Sequence, residues 1–123
     1  MSGNKIFLDT NIILYLLGGD ETIAELLNGK QFYISFITQL ELLGFSELSS
    51  QKEEIINDLL SNCVILDIND EIKSKVINLR KTKKLKLPDC IIIASSLYLN
   101  LPLITADEDF KRVAELNLIL YEK

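Results

Sequence analysis

Leu87–Phe110, LPDCIIIASSLYLNLPLITADEDF, decides the fold. Pro88 lacks an N–H and suits the first turn of a helix, where that donor would have no partner, and Asp89 follows it at the helix start. Ile91, Ile92, Ile93, Ala94, Leu97 and Tyr98 leave almost no polar face, which predicts an interior helix. Pro102 then breaks the chain ahead of Leu103, Ile104 and Thr105, a strand too short and apolar to face solvent. Asp107 and Asp109 come directly after it. In a parallel α/β sheet, ligands bind beyond the carboxyl ends of the strands, so acids at that place are candidate functional groups.

Outward from this stretch, short apolar runs alternate with helical patterns. Lys5–Leu8 is a strand ended by Asp9, and Ile12–Leu17 is a compact helix closed by Gly18 and Gly19. Asp20 caps a helix through Leu27, stopped by Gly29. Phe32–Phe36 is a second strand. Thr38-Gln39-Leu40-Glu41 opens a helix expected to run through Leu48. Ser50-Gln51-Lys52-Glu53 is a capping-box pattern for a helix through Leu60, with Ile55, Ile56, Leu59 and Leu60 at helical spacing. Val64–Ile68 is a third strand, and Asn69 caps a helix carrying Ile72, Val76, Ile77 and Leu79. After Phe110, Val113 and Leu116 predict a short helix, and Leu118–Tyr121 a last strand. Strands that are continuous apolar runs between helices mean a parallel sheet covered on both faces. The expectation is one α/β domain over residues 1–123, with no linker or internal repeat to divide it.

Composition narrows the function. Apolar residues make up 48% of the chain, which excludes disorder. No apolar run approaches the ~20 residues of a membrane span, and Asp9 interrupts the first hydrophobic segment, so a cytoplasmic location without membrane attachment is expected. Cys63 and Cys90 have neither CxxC spacing nor a histidine companion and read as free thiols. The chain has no histidine, which removes histidine-based zinc sites and triads and leaves oxygen ligands for any metal.

A net charge of −5 argues against general nucleic-acid affinity. The distribution says otherwise. Lys73, Lys75, Arg80, Lys81, Lys83, Lys84 and Lys86 form a segment of +7 with no acid inside it, so the remainder of the chain carries −12. A solvated helix face accounts for such a run, and cations also suit a helix C-terminus. Its place immediately before Asp89 makes Lys81, Lys83, Lys84 and Lys86 candidates for a rim that attracts phosphates.

Asp9 and Asp107 both follow strands, and both face one crevice if those strands are neighbours. Asp89 at a helix start and Glu41 early in another helix can point the same way. Each has a plainer explanation: Asp89 favours the helix dipole, Glu41 completes a capping box with Thr38, and Asp107 and Glu108 suit a first turn. Asp9 has none of equal strength. Two unit charges about 4 Å apart repel by ~4 kcal/mol at an effective dielectric near 20, so several cannot stay ionised without a cation or proton uptake. Carboxylate oxygens alone select Mg²⁺ or Mn²⁺, which activate water and stabilise charge on an attacked phosphorus. The implied reaction is phosphodiester hydrolysis.

Four stretches together resemble the PIN domain family, and within it the VapC-like toxins of toxin–antitoxin pairs. They are Phe7-Leu8-Asp9-Thr10-Asn11, Thr38-Gln39-Leu40-Glu41-Leu42-Leu43-Gly44, Pro88-Asp89 with Ala94 following, and Thr105-Ala106-Asp107-Glu108-Asp109-Phe110. The resemblance covers about Lys5 to Tyr121. It implies a three-layer α/β/α fold with strand order 3-2-1-4-5. It implies that Asp9, Glu41, Asp89 and Asp107 are a catalytic quartet holding Mg²⁺ or Mn²⁺, with Asp109 a variable fifth ligand and Asn11 and Thr105 in support. It implies cleavage of single-stranded RNA, a cognate antitoxin and frequent homodimerisation. One departure is Ile93, four positions after the third acid, where the family usually has a small residue.

Two other classes fit some of these features. A non-catalytic PIN-like module would keep the acids and only hold RNA or a protein. A phosphoryl-accepting receiver domain also clusters acids at strand ends, but it needs an acceptor Asp after the middle strand and a Lys after the last. The acids here use other strands, and Leu118–Tyr121 leads only to Lys123.

Overall fold

The computed structural model describes residues 2–122. β1 (Lys5–Leu8) is followed by α1 (Thr10–Leu17) and α2 (Glu21–Leu27), and β2 (Gln31–Ser35) by α3 (Phe36–Leu43) and α4 (Ser50–Leu60). β3 (Cys63–Leu66) precedes α5 (Asp70–Lys83) and α6 (Leu87–Leu99). β4 (Leu103–Thr105) runs into a 3₁₀ segment, Glu108–Arg112, and then β5 (Leu118–Leu120). Every strand pair is parallel, in the order β3-β2-β1-β4-β5. This is the order that the four motifs imply.

Side-chain alternation in β1 divides the core into two layers. Phe7 and Leu103 point to the face covered by α5 and α6, with Ile72, Val76, Leu79, Ile92, Ile93 and Phe110. Ile6, Leu8, Ile34 and Ile104 of the strands point to the opposite face, with Ile12, Ile23, Leu42 and Ile56 from α1 to α4. A central strand with both faces covered needs apolar residues along its buried length, which is why Ile6–Leu8 of β1 and Leu103–Ile104 of β4 are apolar without a break. Residues Cys90 to Ser96 of α6 are all buried, as its sequence requires. Ser95 and Ser96 keep their hydroxyls satisfied inside the core by donating to the Ile91 and Ile93 carbonyls at 2.7 and 3.1 Å. Ile93 is fully buried and the layer packs around its larger side chain. Among the described residues no helix is long and apolar enough to cross a membrane. Cys90 is buried and Cys63 half-buried, both free.

Several boundaries differ from the sequence expectation, each for a local reason. Ser35 is at once the end of β2 and the cap of α3, its Oγ accepting the Ile37 N–H at 3.1 Å, so Phe36 is helical rather than strand. α3 stops at Leu43 instead of Leu48. Gly44 closes it, and a Cβ there would lie 2.6 Å from the Leu40 carbonyl. The cap of α4 is Ser49, whose Oγ accepts the Lys52 N–H, and not Ser50. β3 spans Cys63–Leu66, one residue earlier than expected and ending sooner. The helix expected around Val113 and Leu116 is replaced by the 3₁₀ segment ahead of it; Val113 is buried as its cap.

Candidate active site

Leu8 pairs with Ile104 across β1 and β4, so the residues that follow them emerge side by side at the carboxyl edge of the sheet. Asp9 and Thr105 are those residues. Thr105 donates its hydroxyl to Asp9 Oδ2 at 2.6 Å and accepts the Asp107 N–H at 3.0 Å, tying the two strand ends together. Asp9 Oδ1 accepts the Thr10 N–H at 2.8 Å, so Asp9 also caps α1, a structural role that the sequence reading had denied it.

Glu41 comes from α3. The expected capping box with Thr38 is absent, because Thr38 lies inside the helix, past its Ser35 cap. Thr10 instead donates to Glu41 Oε1 at 2.8 Å, and the Thr10 and Thr38 hydroxyls are 2.8 Å apart. Thr10 has a single hydroxyl proton, so with that proton on Glu41 the buried Thr38 is the donor to Thr10. Two hydroxyls thus fix the direction of Glu41. Neither Thr10 nor Thr38 had been assigned such a role; the adjacency of Thr10 to Asp9 was the only signal, and its partner is 28 residues away.

Asp89 sits in the first turn of α6. Asp9, Glu41, Asp89, Asp107 and Asn11 line one cleft of about 410 Å³, with Thr10, Leu14, Leu40, Gly44, Phe45 and Ile92 completing its wall. Four separate stretches therefore meet at one place. Among the described residues no lysine or arginine lines it. Lys86, the N-cap residue of α6, is near enough to stabilise ionised Asp89, whereas Lys81, Lys83 and Lys84 stand outside the cleft wall. Asp109 is exposed and also off the wall; its carboxylate accepts from Arg112. A larger cavity of about 620 Å³ opens beside the cleft, sharing Leu14 and Phe45, but it is mainly apolar and holds no cluster of titratable groups.

The electrostatics follow from this crowding. Burial raises the Asp9 pKa, Thr105 and Thr10 hydrogen bonds pull it back, and Asp107 and Glu41 raise it again. Asp89 is pushed up to about 6, first by burial, then by Asp9 and Asp107, with Lys86 opposing and Glu41 adding. A carboxyl whose folded pKa exceeds its unfolded value of about 3.8 destabilises the fold when ionised. That penalty is absent below about pH 4, grows as pH rises toward 6 and is constant above. Asp89→Asn should therefore raise the melting temperature of EDTA-treated protein by about 3–5 °C at pH 7.5, with the gap closing at pH 4. Equal melting temperatures at pH 7.5 would show that Asp89 is not under this strain.

An oxygen-only donor set suits Mg²⁺ or Mn²⁺. Among the described residues no three acids already stand as a finished coordination cage, and Asp9, Glu41 and Asp107 each accept a hydrogen bond from within the protein. Mg²⁺ retains several waters and is commonly held by one or two carboxylates, so the dispersed arrangement fits it.

No curated protein matches the sequence significantly. Solved structures do. A chain of a toxin–antitoxin complex from Klebsiella pneumoniae is 32% identical, with a TM-score of 0.83 over 96% of this chain and 99% of that one. VapBC-1 from nontypeable Haemophilus influenzae is 28% identical, with a TM-score of 0.78 over 94% and 97%. VapBC2 from Rickettsia felis, solved with a promoter DNA fragment, shares the fold at 24% identity and a TM-score of 0.81 over 96% and 99%. The family model for the PIN domain matches residues 6–116. With the sheet order, the acid cleft and this match in agreement, the chain belongs to the PIN domain family.

Proposed function

We propose that the protein is a metal-dependent endoribonuclease that hydrolyses phosphodiester bonds in single-stranded regions of RNA, and that it is the toxin of a toxin–antitoxin pair. The reading rests chiefly on one observation: Asp9, Glu41, Asp89 and Asp107, spread over the length of the chain, line a single cleft whose wall holds no lysine or arginine among the described residues. Nuclease activity is general among VapC-like PIN domains, and the relatives solved as toxin–antitoxin complexes support a cognate antitoxin as partner. A homodimer is the assembly that the family resemblance suggests.

In this mechanism Asp9, Glu41, Asp89 and Asp107 would hold Mg²⁺ or Mn²⁺, and the ion would supply activation of water and offset charge on the attacked phosphorus. Thr105 keeps Asp9 and the Asp107 backbone in register, Thr10 aims Glu41, and Asn11 offers an amide at the cleft wall. Leu14, Leu40 and Ile92 are apolar residues of the same wall.

Binding of metal to the folded state alone raises the melting temperature with concentration. Mn²⁺ should therefore stabilise the protein, and Asp107→Asn should remove most of that shift while leaving the metal-free protein at least as stable. The check is thermal unfolding across a Mn²⁺ titration. An undiminished shift in Asp107→Asn would overturn the assignment.

A further inference from the structure

Two arginines of the basic segment and its surroundings do not face solvent as free charges. Arg80 Nη1 donates to the Leu85 carbonyl at 2.9 Å, and Arg112 Nη1 donates to the Lys84 carbonyl at 3.2 Å. They grip successive carbonyls of the turn between α5 and α6, at the point where Lys84 adopts a left-handed φ of 55°. A non-glycine residue in that region is strained, and the strain persists only when surrounding contacts determine it. The turn leads through Lys86 directly into the first turn of α6, where Asp89 stands.

The second half of the Arg112 fork points the other way. Its Nη2 lies 3.3 Å from Asp109 Oδ1, and the Asp109 N–H donates to Asp107 Oδ1 at 2.9 Å. Asp107 is in turn bonded through its own N–H to Thr105, which donates to Asp9. A planar guanidinium with five donors can satisfy a carboxylate and a carbonyl at once in a fixed geometry, which a lysine ammonium does less well.

We propose that Arg112 is a positioning residue that fastens the Asp107 end of β4 to the turn presenting Asp89, and that Asp109 is its anchor rather than a metal ligand. The proposal deepens the nuclease reading, on which its relevance to catalysis rests. It also accounts for Asp109 standing off the cleft wall, despite following Asp107 by two residues. Both side chains are about half exposed, so their contribution is to geometry more than to global stability.

The test uses Arg112→Ala, Arg112→Lys, Asp109→Ala and the double alanine variant in the full chain, with two readouts. The first needs no metal. The Cys90 N–H is bonded to the Lys86 carbonyl at 3.0 Å and reports the start of α6. Its amide exchange in EDTA should accelerate in Arg112→Ala and in Asp109→Ala, and the double variant should exchange no faster than either single one. If Asp109 were only a ligand, Asp109→Ala would leave this exchange unchanged, and that result overturns the proposal. The second readout is Mn²⁺ affinity well below the melting temperature. Each single alanine variant should weaken it by about three- to tenfold, the double variant no further, and Arg112→Lys should recover part of the loss. Additive losses, or a loss in Asp109→Ala alone, overturn the proposal. Asp107→Asn serves as the control: if its Mn²⁺ shift is undiminished the nuclease reading fails, while the Cys90 exchange still decides whether Arg112 fastens the turn.

Discussion

Asp9→Asn is expected to slow RNA cleavage by at least about a thousandfold without unfolding the protein, because metal-assisted activation of water supplies much of the barrier reduction. Asparagine keeps an oxygen for the Thr10 N–H, so the cap of α1 survives. Its amide NH₂ replaces the oxygen facing Thr105, and that hydroxyl, which now donates at 2.6 Å, can turn and accept. Loss of a buried charge whose ionisation the fold opposes removes a penalty rather than a support. The melting temperature of the metal-free variant should therefore match or exceed that of the wild type, while activity vanishes. The measurement is cleavage of a mixed RNA pool by both proteins, with and without EDTA. Equal rates would reject the role of Asp9, and cleavage that resists EDTA would reject the metal.

Replacing Lys83, Lys84 and Lys86 by glutamine is expected to change how RNA binding responds to salt. These residues end α5, occupy the left-handed turn and cap α6, and among the described residues none of the three is in an ion pair. With Arg80 and Arg112 bonded to backbone carbonyls, these lysines are cations of this edge that no ion pair among the described residues engages. The log–log slope for single-stranded RNA is about −0.7 per neutralised phosphate, so the triple variant should be shallower by up to about 2 if each lysine meets one phosphate. Affinity should fall about equally for unrelated sequences, since phosphate contacts do not read bases. Labelled RNA titrated at several salt concentrations, in the Asp9→Asn background, gives the slope. An unaltered slope returns the segment to being an ordinary solvated face.

The sheet and its carboxyl edge were legible because they depend on patterns that any buried parallel strand must show: Phe7 and Leu8, and Leu103 to Thr105, have no polar alternative. Asp9, Asp89 and Asp107 were legible for the same reason, each lying just past a strand or at a helix start, whereas Glu41, expected in the first turns of its helix, stands near the end of α3. Boundaries were harder wherever two neighbours were chemically equivalent. Ser49 and Ser50 can both cap, and only the path of the chain decides between them. Phe36 extends an apolar run as plausibly as it opens a helix, because β2 passes into α3 with no loop. The Thr38–Glu41 spacing satisfied a local rule that tertiary geometry overrode, turning Glu41 toward Thr10 instead. Contacts such as Arg112 to the Lys84 carbonyl leave no trace in a sequence, since any surface arginine reads alike.

The hydroxyl bond between Thr105 and Asp9 spans 96 positions of the chain. Such distant pairings form late, because the loop between them must close before any contact rewards it. Synthesis from the N-terminus makes the delay unavoidable: β1 to α6 can be complete while Asp9 still lacks its neighbour. A ribosome thus carries a growing chain whose acids have not yet been brought to their meeting place, and the acid cleft is assembled only as the last strands leave it.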